Sequence, residues 1–144
     1  MTCNEILTAM TSRGAKTYTP PSQNQITLLN ASLRQHRFAL LPAFMNDLYK
    51  CVGGLNLDTG YIFGPSEIIR QNATPIPDIL TINKDISTYK KISGMTIFGR
   101  NDLFWFAYDA FGICYMLDNL TLKPLRKYDN PYRAITDCLI AGKV

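Results

Sequence analysis

The chain has 144 residues, of which 47% are hydrophobic and 18% charged, and its formal net charge is +4. These proportions argue against a disordered chain and fit one globular domain; at this length roughly 68–70% of the extended-chain surface is buried on folding. The positive charge permits attraction to acidic partners, but there is no dense basic stripe of the kind that marks a nucleic-acid binder.

Cys3, Cys51, Cys114 and Cys138 are far apart and distant from the one histidine, His36, so no zinc-type spacing exists and no metal or cofactor is expected. Three of the four fall at apolar helix or strand positions, which predicts small buried hydrophobes in a reducing cytoplasm. The first residues carry no basic leader, and no apolar run approaches the ~20 residues of a membrane span, so a cytoplasmic protein without membrane partners is expected.

In chain order, Thr2-x-x-Glu5 fits a capping box and predicts a helix over 3–12, with Ile6, Leu7 and Met10 on one face. Thr17 to Pro21 reads as a stiff connector. A second capping box, Ser22-x-x-Gln25, opens a predicted helix over 23–36 with an Ile26, Leu29, Leu33 stripe. Pro42 suits the first turn of a third helix, with Phe44, Leu48 and Cys51/Val52 in phase and Gly53-Gly54 as its left-handed cap.

Tyr61 to Phe63 reads as a short strand and Ser66 to Ile69 as a helical turn. Residues 78–90 are ambiguous. Their composition suits a strand, but Ile79, Ile82, Ile86 and Tyr89 keep helical spacing, so a helix is favoured. Lys90 and Lys91 would then sit in its last turn. Strands follow at 95–98, 103–108, 112–117 and near 121–126, punctuated by Gly, Asn and Asp turns. The central one carries Phe104, Phe106 and Tyr108 on one face and Leu103, Trp105 and Ala107 on the other. Asp129-Asn130-Pro131 opens a last helix, with Tyr132, Ile135 and Leu139 buried and Gly142 at its end. The order of elements predicts one α+β domain over 1–144, with a mainly antiparallel sheet of about five strands flanked by N-terminal, middle and C-terminal helices.

Chemistry is sparse. No Walker loop, HExxH, G-x-S-x-G or C-x-x-C motif occurs. His36 sits among arginines at a helix end and reads as a surface residue. Of the 11 carboxylates, Asp58, Asp78, Asp102, Asp109, Asp118 and Asp129 fall at caps or turns, where they bond local backbone N–H groups. Asp102 and Asp109, flanking the aromatic strand, stand out among them. No catalytic residue and no small-molecule substrate are expected.

The order Leu41-Pro42, Phe44…Leu48-Tyr49, Gly53-Gly54, Ile62-Phe63-Gly64, then Ile97-Phe98-Gly99, Asn101-Asp102, Trp105-x-x-Tyr108-Asp109 and Gly112-Ile-Cys-Tyr115 resembles the SUKH superfamily. Within this superfamily of Smi/Knr-like domains the pattern looks like the YrhA-type bacterial branch. The likeness covers about residues 22–142; Gly53 stands where many members have asparagine. It implies an α+β fold with a mixed, mainly antiparallel sheet and flanking helices, and a non-catalytic binding domain, in bacteria an immunity protein that neutralises a cognate polymorphic or contact-dependent toxin. The alternative is a general intracellular scaffold or regulatory module; a nucleic-acid binder ranks lower. A +4 chain is also a poor mimic of nucleic acid, since a mimic replaces phosphates with acidic groups. Interfaces favour aromatic and arginine anchors at strand ends, which nominates Arg100, Asn101, Asp102, Tyr108, Asp109 and Phe111, with Tyr61 beside them, as partner-binding residues.

Overall fold

Both capping boxes form. In the computed structural model, which describes residues 2–88 and 94–140, the Thr2 hydroxyl accepts the Glu5 N–H at 3.2 Å and Glu5 accepts the Thr2 N–H at 3.3 Å. This starts helix α1 (Cys3–Ser12), whose buried face is Ile6 and Met10. Ser22 and Gln25 exchange the same bonds at 3.2 and 2.8 Å and start α2 (Gln23–Gln35). Helix α3 (Ala43–Cys51) begins after Pro42 and buries Phe44, Met45, Leu48 and Tyr49.

The two glycines after α3 are not its left-handed cap. The capping residue is Val52, in extended conformation, and the Gly53 N–H donates to the Tyr18 carbonyl at 2.8 Å. A Cβ on Gly53 would lie 2.1 Å from the Thr19 carbonyl oxygen, so glycine here permits two backbone segments to touch.

Seven strands form one sheet: β1 (Lys16–Thr17), β2 (Leu55–Leu57), β3 (Gly60–Ile62), β4 (Met95–Arg100), β5 (Phe104–Asp109), β6 (Cys114–Asp118) and β7 (Pro124–Tyr128). They lie side by side in chain order, and every pairing is antiparallel. The α+β class is as expected, but the sheet is wholly antiparallel rather than mixed, and β1 and β2 raise the strand number above about five. Ser66 to Ile69 is not a helical turn: Ile68 and Ile76 exchange two backbone bonds of 2.9 Å and tie off a loop.

The ambiguous stretch is helical, as α4 (Ile79–Ser87), with Asp78 accepting the Thr81 N–H at 3.0 Å; the expected stripe residue Tyr89 and the Lys90-Lys91 pair lie outside the described residues. The last helix is α5 (Pro131–Ile140), opened by Asn130 accepting the Tyr132 N–H at 3.0 Å; its expected stop, Gly142, also lies outside them.

Helix α5 packs across one face of the sheet. Cross-strand register aligns Ile62, Gly99, Phe106 and Met116 on that face, and the Cys138 thiol of α5 hydrogen-bonds the Tyr61 and Arg100 carbonyls behind Gly99. A Cβ on Gly99 would meet Cys138 Sγ at 3.1 Å, so the bare glycine seats the helix. Nearby, a register shift between Ile97 and Gly99 turns Phe98 inward, where its ring stacks with Tyr108 and meets Phe44 edge-on at centroid separations of 5.9 and 5.5 Å. Ile97, just before the shift, is paired with Ala107 and is also bonded by a side chain. That side chain is Asn83, fully buried on α4: its amide donates to the Ile97 carbonyl and accepts the Ile97 N–H, at 2.8 and 2.7 Å.

Candidate functional site

The opposite sheet face presents a different row. Register places Tyr61, Arg100, Trp105 and Leu117 directly opposite one another on β3, β4, β5 and β6. The Arg100 guanidinium lies over the Trp105 ring, 4.4 Å from its centroid, and Arg70, from the loop between β3 and α4, lies over the Tyr61 ring at 5.3 Å. Both distances suit cation–π attraction. Trp105 is left only 7% exposed, while Tyr61, Arg70 and Arg100 are half-buried.

The two arginines line one cleft of about 230 Å³ whose walls include Tyr61, Phe63, Ile76 and Ile82. Arg70 is held in place by donating through Nε (2.9 Å) and Nη2 to the Thr74 carbonyl. Among the described residues Arg100 makes no such bond, and no carboxylate lies within ion-pair distance of either guanidinium. The lining contains no acidic residue. The cleft therefore combines apolar walls with two oriented, planar cations.

The residues nominated from sequence divide into three groups. Arg100 and Tyr61 come together in this cleft. Asn101 and Tyr108 are not presented to a partner. Asn101 is 5% exposed, accepts the Leu103 and Phe104 N–H groups at 2.9 Å each, and donates to the Cys138 carbonyl at 3.2 Å, so it builds the turn and anchors α5. Tyr108 is 0% exposed, packed on Phe44 and Phe98, and its burial pushes the phenol pKa well up. It sits one residue short of the end of β5, on the face that α3 covers.

The remaining three are solvent-accessible and scattered. Asp102 is exposed in the β4–β5 turn. Asp109 organises the opposite turn by accepting the Phe111 and Ile113 N–H groups (2.9 and 3.0 Å) and the Tyr115 hydroxyl (3.1 Å). Phe111, 89% exposed, sits at that turn's tip. The six residues of β5 separate the two turns, roughly 17 Å at strand rise. The nominated set is thus not one contiguous patch.

Sequence reasoning missed Arg70 and read Trp105 as plain core. Arg70 lies in an irregular loop, so no periodicity points to it. The hint for Trp105 was its place opposite Arg100 once β4 and β5 pair.

The other chemical groups are quiet. His36 caps the exposed end of α2 and stacks on Phe38. Burial, with the Cys51 thiol beside it, raises the Cys3 thiol to about 11, and burial raises Cys114 to about 12. Cys138 is driven higher still by complete burial. These three therefore stay protonated at neutral pH, unlike an activated nucleophile. Cys114 and Cys138 are buried as expected, whereas Cys51 is exposed and Cys3 half-buried. Among the described residues no cluster of His, Cys, Asp and Glu could hold a metal, and no helix is long and apolar enough to cross a membrane.

No family model matches the chain, and no curated protein or solved structure matches it.

Proposed function

We propose that this chain is a non-catalytic protein-binding domain, an immunity protein that binds and neutralises a cognate bacterial toxin in the cytoplasm. The carrying observation is the face on which Arg100 stacks on Trp105 and Arg70 on Tyr61 around one cleft. Tryptophan, tyrosine and arginine are the residue types that dominate interface energetics, and half-buried positions limit the entropy lost when they are fixed. The toxin-directed part of the reading rests on the SUKH-like order of motifs over residues 22–142. The chain shares the α+β class that the resemblance implies, with a wholly antiparallel sheet in place of a mixed one.

Affinity capture from the source cells, followed by expression of each captured protein alone and together with this chain, tests the reading. The expected result is a captured protein that arrests growth alone and is harmless in co-expression. If no captured protein is toxic, the immunity reading falls.

A further inference from the structure

The geometry points to an acidic peptide segment as the occupant of the Arg70–Arg100 cleft: a partner's Asp or Glu carboxylate engages the two guanidiniums while its apolar neighbour enters between Phe63, Ile76 and Ile82. This inference rests on the protein-binding reading and specifies what the partner brings.

Three observations converge. First, both guanidiniums are already oriented by an aromatic ring, and Arg70 also by Thr74, so little freedom is lost on binding. Second, neither is neutralised among the described residues, whereas Arg126 on the other sheet face lies 2.9 Å from the Asp137 carboxylate. Third, the cleft's apolar walls lower the local dielectric, which strengthens a bidentate guanidinium–carboxylate bond. A volume of about 230 Å³ admits one or two side chains but not a folded element. The net charge of +4 favours the approach of an acidic segment. A nucleic-acid strand is disfavoured because the aromatic faces that would stack on bases are already covered by the arginines.

The chain has one tryptophan, Trp105, directly beneath Arg100, so its emission reports on the site. The test titrates the full chain with the capped peptide acetyl-Leu-Glu-Leu-amide and with its Gln isostere, read by Trp105 emission and by calorimetry. Saturable binding of the Glu peptide is expected, roughly tenfold tighter than the Gln peptide. It should weaken several-fold between about 50 mM and about 300 mM salt. Arg100→Gln should abolish it, Arg100→Lys should weaken it, and Arg126→Gln should leave it unchanged. Equal response to both peptides, no saturation by either, or tighter binding of a single-stranded oligonucleotide overturns the inference. The isostere comparison uses unaltered protein, so a poorly folded variant does not blur the outcome.

The two readings can fail separately. If a captured toxin still binds the Arg70→Gln/Arg100→Gln protein undiminished, the cleft assignment falls and the immunity reading stands. If the acidic peptide binds but no captured protein is toxic, the reverse holds.

Discussion

Arg126 and Arg100 lie three strands apart on opposite faces of the sheet, and each holds its guanidinium over an aromatic ring, 4.8 Å from Tyr128 and 4.4 Å from Trp105. At Arg126 the arrangement is internally complete: Asp137 accepts from both the guanidinium (2.9 Å) and the Tyr128 hydroxyl (2.8 Å), tying β7 to α5. Arg100 has the same stacked geometry with no carboxylate among the described residues at ion-pair distance. Stacking fixes a cation's orientation, whereas a carboxylate both consumes its directed hydrogen bonds and neutralises its charge. The difference separates an arginine used for structure from one still able to bind.

The contrast can be broken or sharpened by substitution. The largest effect lies beneath it. Tyr108→Ala should cost about 3–5 kcal/mol in denaturant unfolding, because it empties the Phe44–Phe98–Tyr108 ring cluster. Arg100→Ala should change stability by no more than about 1 kcal/mol, as expected of a half-exposed group without hydrogen bonds. Similar losses in both would mean that Arg100 is structural after all.

Asn83→Ala comes next. It leaves the Ile97 N–H and carbonyl buried without their side-chain partner, each at about 1–3 kcal/mol. Hydrogen exchange at Ile97 should rise well before that of β5 and β6.

A smaller effect is expected from Asp137→Asn, which makes Arg126 resemble Arg100. Stability should fall by about 1 kcal/mol or less, since the pair is partly solvent-screened. Burial first, and then the hydrogen bond to Asp137, raise the Tyr128 phenol above the ordinary tyrosine value. Removing the carboxylate takes away a partner of the protonated form, so Tyr128 should ionise at lower pH, still above an ordinary tyrosine because burial persists. Difference ultraviolet titration against the unaltered protein measures this; a Tyr128 titration that does not move refutes the assignment.

The smallest signal is optical. Arg100→Ala should expose the Trp105 ring and red-shift its emission by a few nanometres, while Arg126→Ala should leave the spectrum unchanged. An identical spectrum in Arg100→Ala would show that Arg100 does not cover the ring.

Much of the fold was legible because its signals are local. The Thr2/Glu5 and Ser22/Gln25 boxes and the Asp78 and Asn130 caps each specify a helix start within four residues of sequence. Strands β4, β5 and β6 announce themselves by aromatic runs between turn residues. Strands β1 and β2 did not, because two and three residues are too short to show a period and Leu55-Asn56-Leu57 is buried throughout, without alternation. Gly53 looked like a helix cap because the sequence cannot show Thr19 lying against it.

The site was less legible for the same reason. Tyr108 sits near a strand end in sequence, yet Phe44 of α3 and Phe98 pack on its ring and place it in the core. Arg70 reaches Tyr61 through an irregular loop whose path depends on the Ile68–Ile76 bridge, a contact no periodicity encodes. Asn83 fell on a helix predicted from its isoleucines, with nothing local to indicate that its amide serves a distant strand.

The chain-order meander ends in two outer strands, and neither invites another chain to add to it. β1 has only two residues and begins with Lys16; β7 carries Pro124, which offers no N–H, along with Arg126 and Lys127. Short length, proline and positive charge are what keep sheets from growing by edge-to-edge addition into aggregates. Strand addition is thereby discouraged at both rims, which leaves the broad face of the sheet, with its recessed cleft of apolar walls and two arginines, as the open approach to the molecule.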